Sequence, residues 1–384
     1  MLCALEHMSC VCALGCTNEE VLANLRARSS AGMVPLGDEI PGRTVLFGAV
    51  SGGLPEIAEP EYDTRTDRLL KLAVENGRAG FASFVEKYGA DRVAVVLGTS
   101  NTGIDEAQRH VDAWIDTGMK PDAMRFSEIE LGTPAEYLAE LLGVAGPAYS
   151  ISTACSSSAK VFPAARRLIE AGVVDAAIVG GADGRCRFAL NGFNALGALS
   201  QGLCRPLAPD RDGINLGEGA ALFTLERAKG DASSICFAGA GETSDAYHPT
   251  APDPEGNGAE AAMLAALKDA GISPEDVSYV NLHGTGTVAN DDMEMKALMR
   301  VFPGLAGVEP VGPHYESTKP FTGHCLGAAG AIEAAVCWLK FASGELSGAA
   351  LSNSFAFGGS NASVVLRRVG MRHGNACVQG RFMV

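Results

Sequence analysis

The sequence has few aromatic residues, no excess of basic residues and no apolar run of membrane-spanning length. Aromatic residues make up 6% of the 384 residues, while 47% are hydrophobic and 47 residues are glycine. A chain with this apolar content can bury a substantial core, which excludes a disordered protein. Scarce aromatics and abundant glycine favour tightly packed α/β layers. Because no apolar stretch approaches the width of a bilayer, we expect no membrane span.

Acidic residues outnumber basic residues by 45 to 30, which gives a formal net charge of −15. This balance excludes general affinity for nucleic acid or for anionic membranes. An acidic protein partner would therefore need a local basic patch. Helical spacing places Arg65, Arg68 and Lys71 on one face, where they form a hypothetical docking site. A solvated amphipathic helix explains the same three residues equally well.

The eleven cysteines are odd in number and follow no regular framework. Such usage is typical of reduced thiols in a cytoplasmic protein. The N-terminus lacks the basic start and sustained apolar stretch of a secretory signal, which also favours a cytoplasmic location. Cys10, Cys12 and Cys16 lie close together, but no Cys/His pair follows at zinc spacing. We therefore expect no metal site.

Strand-like apolar segments alternate with helical periodicity, which predicts a parallel α/β architecture. Strands are expected at residues 92–97, 148–151, 176–179, 220–225, 277–282 and 363–366. Helices are expected at residues 18–28, 67–88, 134–142, 159–171, 259–270, 291–301 and 328–341. Pro163 should kink the fourth of these helices or mark a local irregularity in it. The polar stretch 226–234 divides the chain, and two related halves are one interpretation of this division.

Cys155 lies between a short apolar strand and an amphipathic helix, in a run of small residues. A cysteine at such a turn receives the positive end of the helix dipole and nearby backbone N–H groups. Both favour the thiolate, which is the nucleophilic form, and small neighbours leave room for a substrate. A buried structural cysteine is the alternative, because most free cysteines are buried and inert.

Two histidines supply the partners that such a nucleophile needs. His283 follows the apolar stretch 277–282, so its imidazole belongs at the carboxyl end of a strand, where ligands collect in α/β sheets. His324 stands in a glycine-rich turn before the helix expected at 328–341. A single histidine is usually structural, but two of them and a cysteine in three such turns predict a catalytic site.

Five ordered segments resemble the β-ketoacyl-acyl-carrier-protein synthases of the thiolase superfamily, of the type I/II kind. They are TACSSS from Thr153, RPLAPDRDGINLGEGAA from Arg205, HGTGT from His283, KPFTGHCLGAAG from Lys319 and SNSFAFGGSNAS from Ser352. The resemblance implies an α/β, thiolase-like fold in which two βαβαβ-type halves form an α-β-α-β-α sandwich. Residues 1–230 would hold the cysteine, residues 231–370 the histidines, and residues 371–384 an unmatched tail for which disorder is one interpretation.

The resemblance also implies roles for these residues. Cys155 would accept an acyl group from a carrier-protein thioester. His283 and His324 would promote decarboxylation of malonyl-carrier protein and stabilise the enolate, because a neutral imidazole N–H can donate to the developing oxyanion. The backbone N–H groups of Cys155 and Phe357 would form the oxyanion hole, with Gly358 allowing close backbone approach.

Further residues match supporting positions of the family. Lys319 would help to order the histidine side of the site. Glu333 matches a buried glutamate, and Asp291 and Glu294 match carboxylates that support the HGTGT loop. The remaining matches are Thr285 and Thr287 for the phosphopantetheine arm, and Phe357 and Phe193 for gating side chains.

The resemblance implies no tightly bound cofactor, because the substrate is carried on the phosphopantetheine of acyl carrier protein. That carrier is one expected partner, and the other is a second subunit, in a homodimer or in a heterodimer with a ketosynthase-like chain-length factor. The connection at residues 342–350 is shorter than is usual in the family by a couple of dozen residues. This difference would alter the dimer surface or the docking of the carrier protein.

The pathway stays open. The run from Asp91 to His110 and Ala356 resemble ketosynthases of aryl-polyene clusters, which would imply a conjugated polyene chain. A housekeeping enzyme of fatty-acid elongation is the alternative, since a fold and its motifs do not fix the substrate. A third interpretation is a non-catalytic subunit that determines chain length in a ketosynthase heterodimer, although such subunits usually lack the cysteine. A degradative thiolase is disfavoured because Phe357 and Gly358 stand where its second catalytic cysteine would be needed.

Overall fold

The computed structural model of the chain describes residues 1–230, 234–306 and 311–369. Its strands are β1 (Cys3–Ala4), β2 (Met8–Cys12), β3 (Met33–Ile40), β4 (Arg43–Gly48), β5 (Val93–Gly98), β6 (Ala148–Ile151), β7 (Ala176–Asp183), β8 (Gly219–Arg227), β9 (Ile235–Ser244), β10 (Val277–Asn281), β11 (His314–Glu316), β12 (Ala349–Ala356) and β13 (Ser360–Arg368). Its α-helices are α1 (Asn18–Arg26), α2 (Arg65–Tyr88), α3 (Ile104–Thr117), α4 (Thr133–Leu142), α5 (Ser157–Glu170), α6 (Arg187–Ala195), α7 (Asn257–Ala270), α8 (Val288–Val301), α9 (Lys319–Thr322) and α10 (Ala329–Ala342). The tail at residues 371–384 lies outside the described residues. Within those residues, no helix combines the length and apolar character needed to cross a membrane.

The strands form two groups of five that share one internal order. The first group runs β2-β8-β7-β5-β6, and the second runs β9-β13-β12-β10-β11. In both groups the first two pairings are antiparallel and the last two are parallel. Strand β1 pairs with β8 and β9 and so joins the groups into one eleven-stranded sheet. This repeat confirms two related halves, whereas the boundary at residue 230 stays a prediction.

The helices complete the five layers that the resemblance implies. Helices α5 and α10 pack against each other between the two groups and contact strands of both. Helices α2 and α4 cover the outer face of the first group, and α7 and α8 cover that of the second. Each sheet face therefore buries its apolar side chains against a helix layer, which is how such folds exclude water.

The sheet is mixed, so the prediction of a parallel sheet is wrong for part of each half. Strands β12 and β13 are joined by residues 357–359, a connection far too short for the crossover that a parallel pair requires. Apolar alternation locates strands but does not give their direction. The expected strands and helices are otherwise present with shifted ends, while the β3-β4 hairpin, α3 and α6 were not predicted. Helix α5 continues on both sides of Pro163.

The contact between α5 and α10 leads to a testable expectation. A Cβ atom at Gly330 would lie 2.8 Å from the Ala159 backbone nitrogen and 2.9 Å from its Cβ. Gly330→Val should therefore push the two helices apart and lower the free energy of unfolding by about 1–3 kcal/mol, as overpacked cores do. Urea unfolding measures this loss. Gly53→Val is the control, because nothing lies within 4 Å of its added Cβ. Equal stability of the two variants would contradict the expectation.

Candidate active site

Cys155 lies in a tight turn between β6 and α5. Ala154, the residue before it, has a φ of +52°, a left-handed conformation that is uncommon for a residue with a Cβ. Two hydroxyls hold the turn: Ser156 Oγ donates to the Thr153 carbonyl, and Ser157 Oγ accepts the Thr153 N–H, each at 2.9 Å. The thiol is therefore presented at the N-terminal end of α5, as the sequence predicts.

His324 contacts this thiol directly. Its Nε2 lies 2.9 Å from the Cys155 Sγ, and both side chains are buried. The histidine backbone is held on both sides, because its N–H donates to the Asn215 carbonyl (2.8 Å) and its carbonyl accepts the Gly217 N–H (2.9 Å). The imidazole can therefore exchange a proton with the sulfur without a large movement of either residue.

His283 completes the group of three. It follows β10, and its ring centre is 5.3 Å from that of His324, with the two planes almost perpendicular. Its backbone N–H and that of Gly284 donate to the carboxylate of Glu294, at 2.9 and 2.7 Å. The fold thus brings together three side chains that are far apart in sequence.

Both imidazoles are neutral in this site. Burial, and secondly the nearby Lys319 cation, lowers the pKa of His283 and of His324 well below 6.5. The Nδ1 atoms of both rings have no hydrogen-bond partner among the described residues. The Nε2 of His324 faces the Cys155 thiol and can accept its proton, so the ring proton of His324 is on Nδ1 in that arrangement.

Burial sets the protonation state of Cys155. Burial raises the pKa of its thiol to about 12, while Lys319 and the backbone N–H of Phe357 lower it by less. The backbone N–H acts in the direction that the sequence predicts, but removing the sulfur from water outweighs it and the nearby cation. The thiol must lose its proton as it reacts, and His324 is the base within reach.

A buried ion pair lies behind the histidines. Lys319 Nζ donates to the His283 carbonyl at 2.5 Å and to the Glu333 carboxylate. Burial raises the pKa of Glu333 to about 7, and Lys319 opposes this rise. Sequence reasoning placed both residues near the site but gave Lys319 no partner. The structure shows that its ammonium ties the backbone of one catalytic turn to α10.

Two further carboxylates support the HGTGT loop, as the resemblance implies. Besides its two backbone contacts, Glu294 accepts the Asn353 amide at 3.2 Å, and burial raises its pKa to about 7. Asp291 accepts the Gly286 N–H at 3.2 Å and the Leu207 N–H at 2.8 Å. Within the described ranges, no three His, Cys, Asp or Glu side chains are grouped so as to hold a metal ion.

The turn after β12 faces the thiol from the other half. The backbone N–H of Phe357 faces the Cys155 sulfur and lowers the pKa of that thiol. Gly358 follows with a φ of +80°, a conformation that suits glycine and turns the chain back into β13. The ring of Phe357 stacks on that of Phe193, with centres 5.3 Å apart. The three residues expected at the oxyanion hole and gate are therefore close together.

Thr285 and Thr287 lie on the loop between β10 and α8. Their hydroxyl oxygens are 2.9 Å apart and hydrogen-bonded to each other. Thr285 is buried and Thr287 is half-buried, so the pair reaches from the protein interior toward its surface. Both hydroxyls can therefore meet an amide-bearing chain that enters along this loop.

Comparison with known proteins assigns the family. Residues 58–230 match the model of the N-terminal domain of β-ketoacyl synthases, and residues 235–349 match that of the C-terminal domain. Nodulation protein E of Rhizobium sp. (strain N33) is 31% identical over 400 residues, covering 94% of this chain and 97% of its own. The chain belongs to the β-ketoacyl synthase family. Members of this family are acyltransferases, and the resemblance inferred from the motifs is confirmed.

Other relatives agree with this assignment. The 3-oxoacyl-[acyl-carrier-protein] synthase 2 of Vibrio cholerae is 32% identical and covers 80% of this chain and 86% of its own. A chain from the complex of a ketosynthase with its chain length factor from Xenorhabdus doucetiae superposes with a TM-score of 0.88 at 38% identity, covering 96% and 98%. A β-ketoacyl synthase from Burkholderia phymatum STM815 gives 0.82 at 26% identity, covering 96% and 99%.

One buried carboxylate was missed by sequence reasoning. Asp183, at the end of β7, accepts the Thr99 hydroxyl (2.7 Å) and the backbone N–H groups of Ser100 (3.0 Å), Asn101 (2.9 Å) and Gly327 (2.6 Å). It thus ties the segment after β5 to the segment after His324. Its position at the carboxyl end of an apolar strand was the available signal, the same one that marked His283.

The hypothetical basic patch of this β-ketoacyl synthase is largely neutralised by its own chain. Arg65 pairs with the buried carboxylate of Glu218 at 2.5 Å, and Arg68 pairs with Asp63 at 2.6 Å. Lys71 donates to a backbone carbonyl at 2.6 Å. Helical spacing put these cations on one face but could not show their partners. The structure contradicts the use of Arg65 as a free docking charge.

The buried Lys319–Glu333 pair gives a prediction with a defined pH dependence. Lys319→Met should lower the free energy of unfolding by about 3–5 kcal/mol at about pH 8.5, because it leaves a carboxylate buried without its partner. The loss should be smaller at about pH 5.5, since the folded-state pKa of Glu333 is raised and the acid is then buried in its neutral form. Urea unfolding at the two pH values measures the difference.

The matched control replaces both members of the pair. Lys319→Met combined with Glu333→Met removes the charge along with its partner, so it should recover most of the lost stability at about pH 8.5. A loss in the single variant that is equal at both pH values would contradict the proposed electrostatic origin.

Proposed function

We propose that this β-ketoacyl synthase condenses an acyl group held on Cys155 with malonyl-acyl carrier protein, releasing carbon dioxide. The observation that carries the proposal is the 2.9 Å contact between Cys155 Sγ and His324 Nε2. The backbone N–H of Phe357, which lowers the pKa of the same thiol, is the nearby oxyanion donor. His283 adds a second neutral imidazole within the same buried space.

The first step transfers the acyl group. As the Cys155 sulfur attacks the thioester carbonyl of an acyl-carrier protein, its proton passes to His324 Nε2. The tetrahedral intermediate places its oxyanion on the backbone N–H groups of Cys155 and Phe357. Collapse of this intermediate breaks the bond to the phosphopantetheine sulfur, which leaves with the proton returned by His324. The acyl group is then bound to the enzyme as a thioester.

The second step uses malonyl-carrier protein. Its carboxylate leaves as carbon dioxide, and the electrons of the broken carbon–carbon bond pass to the thioester oxygen as an enolate. N–H groups of the neutral His283 and His324 stabilise this oxygen, and His324 Nε2 can donate at this stage because the acylated sulfur no longer carries a proton. The enolate carbon then attacks the acyl-Cys155 carbonyl, and collapse of the second intermediate releases the sulfur as a thiolate, which takes a proton from solvent.

The substrate arm would enter along Thr285 and Thr287, whose hydroxyls can bond the amides of phosphopantetheine. No tightly bound cofactor is required by this chemistry, because the carrier protein brings both substrates. The reduced cysteines and the cytoplasmic location expected from the sequence form part of the same proposal.

For the pathway, we favour polyketide-type or aryl-polyene chain extension over housekeeping fatty-acid elongation. The sequence around residues 91–110 and Ala356 supports this choice, as does the 38% identity to a chain from a ketosynthase–chain length factor complex. The relatives named 3-oxoacyl-[acyl-carrier-protein] synthase 2 are about one third identical to this chain, and they favour housekeeping fatty-acid elongation. A silent chain-length subunit is disfavoured because Cys155 and both histidines are present and in contact.

A chain-length-factor subunit is the partner that we propose for this enzyme. Large apolar side chains are exposed along α3 and the segment that follows it, and we call this set of residues the apolar strip. They are Val111, Trp114, Ile115, Met119, Phe126, Ile129 and Leu131. The Xenorhabdus doucetiae protein was solved together with such a factor, which supports an unlike ketosynthase-fold chain as the occupant.

Sedimentation of the purified chain alone tests this choice of partner. Because the proposed partner is an unlike chain, we expect self-association of this chain to be weak and lost on dilution, and weaker still in Ile115→Glu. Val173→Glu, at an exposed apolar residue on another face, is the control. A stable homodimer that survives dilution would contradict the choice of an unlike partner.

Separate assays of the two half-reactions test the proposed roles. Cys155→Ala should lose acyl transfer and condensation completely but keep decarboxylation of malonyl-carrier protein, because both imidazoles remain. His283→Ala should still become acylated while decarboxylation falls by about 10²–10³-fold, the usual cost of losing an oxyanion donor. Intact mass of the enzyme and of the carrier proteins measures each half-reaction.

Condensation that survives in Cys155→Ala would overturn the role of the thiol. A panel of acyl-carrier proteins, with fatty-acyl and aryl-polyene starters, then separates the pathways by the products formed. Preference for saturated fatty-acyl primers would favour the housekeeping alternative.

A further inference from the structure

The turn that carries the Phe357 N–H is the tip of a hairpin. Residues 357–359 connect β12 to β13, and Gly358 and Gly359 both adopt left-handed conformations, with φ of +80° and +72°. Because glycine has access to many other conformations, these two residues alone do not fix the path of the backbone. The distance between the Phe357 N–H and Cys155 therefore depends on the contacts that anchor the tip.

Ser360, at the base of the tip, is anchored to the helix that carries the nucleophile. Its Oγ accepts a hydrogen bond from Lys160 Nζ at 2.7 Å, and the Ser156 Oγ lies 3.1 Å away from it. Ser156 donates its single hydroxyl proton to the Thr153 carbonyl, in the 2.9 Å bond that holds the Cys155 turn. Lys160 and Ser156 lie on one face of the first turn of α5, where the Lys160 N–H donates to the Ser156 carbonyl.

Other anchors of the tip run to a different segment. The Gly358 N–H donates to the Pro249 carbonyl at 2.7 Å, and the Gly359 carbonyl accepts the Asp245 N–H at 2.9 Å. These two bonds hold the tip to the loop after β9 and not to α5. The Lys160–Ser360 contact therefore supplies a link that they do not, between the two backbone segments on either side of the thiol.

Lys160 is half-buried, and burial lowers the pKa of its ammonium. Glu242 is the carboxylate that acts on it, but that side chain already pairs with Arg167 at 2.5 Å. Burying part of a cation that has no carboxylate of its own costs desolvation free energy. Because the 2.7 Å bond joins Lys160 to a neutral hydroxyl, charge neutralisation does not explain why a lysine stands here.

We propose that Lys160 is a positioning residue that, through Ser360, sets the distance between the two oxyanion donors, the backbone N–H groups of Cys155 and Phe357. This inference rests on the proposed function. Acyl transfer and condensation both form a tetrahedral oxyanion at a carbonyl joined to the sulfur, so both depend on that distance. In decarboxylation of malonyl-carrier protein, the negative charge develops on an enolate oxygen that faces the histidines. Decarboxylation therefore does not depend on the distance between the two oxyanion donors.

The two half-reactions therefore separate a positioning role from a merely structural one. Lys160→Met should lower kcat for acyl transfer by about tenfold to a hundredfold, the cost of a misplaced donor, with little change in KM. Decarboxylation should stay within about twofold of the unmodified enzyme. Lys160→Arg keeps a donor at this position and should recover part of the lost rate. Lys268→Met, on the exposed face of α7, is the control.

Ser360→Ala is a second variant that removes the central hydroxyl without altering charge. It should show the same selective loss, which keeps the test informative if Lys160→Met folds poorly. Equal losses in both half-reactions, or unchanged acyl transfer in both variants, would overturn the inference. Failure of Cys155→Ala and His283→Ala to separate the half-reactions would instead contradict the proposed function itself.

Discussion

The packing of α5 against α10, between the two five-stranded groups, is the constraint on which the site depends. Cys155 precedes the first of these helices and His324 precedes the second. When the helices pack closely, their preceding turns meet, and the sulfur and the imidazole come within 2.9 Å. Neither half could form this contact alone, because each supplies only one of the two turns. The catalytic group is therefore a product of how the halves join.

Burial sets the chemistry of the group that results. It keeps the Cys155 thiol protonated and both imidazoles neutral, so the resting site holds no charge on the three reacting side chains. In the proposed mechanism, protons move over short distances as bonds form, and the oxyanions meet N–H donors where little water competes. The nearby charges of Lys319 and Glu333 are paired with each other, which leaves the reacting atoms without a fixed counter-ion.

Much of the site could be predicted because its residues stand at strand ends and in turns of distinctive composition. Glycine-rich turns marked His283 and His324, and a run of small residues marked Cys155. Asp183 had the same position at the end of a strand, directly before Gly184, but its hydrogen-bond partners are distant in sequence, and it was missed. Lys160 resembled an ordinary helix-surface lysine, since nothing in the local sequence connects it to Ser360, two hundred positions away.

The sequence alone determined which chemical groups are available and the order of strands and helices that brings them to one edge. Periodicity and turn composition are local properties, so they can be read along the chain. Only the tertiary structure decided the distances between the groups, the direction of strands, the protonation of Cys155 and the pairing of Arg65 with Glu218. These depend on burial and on partners distant in sequence, and neither is encoded by any short segment of the chain.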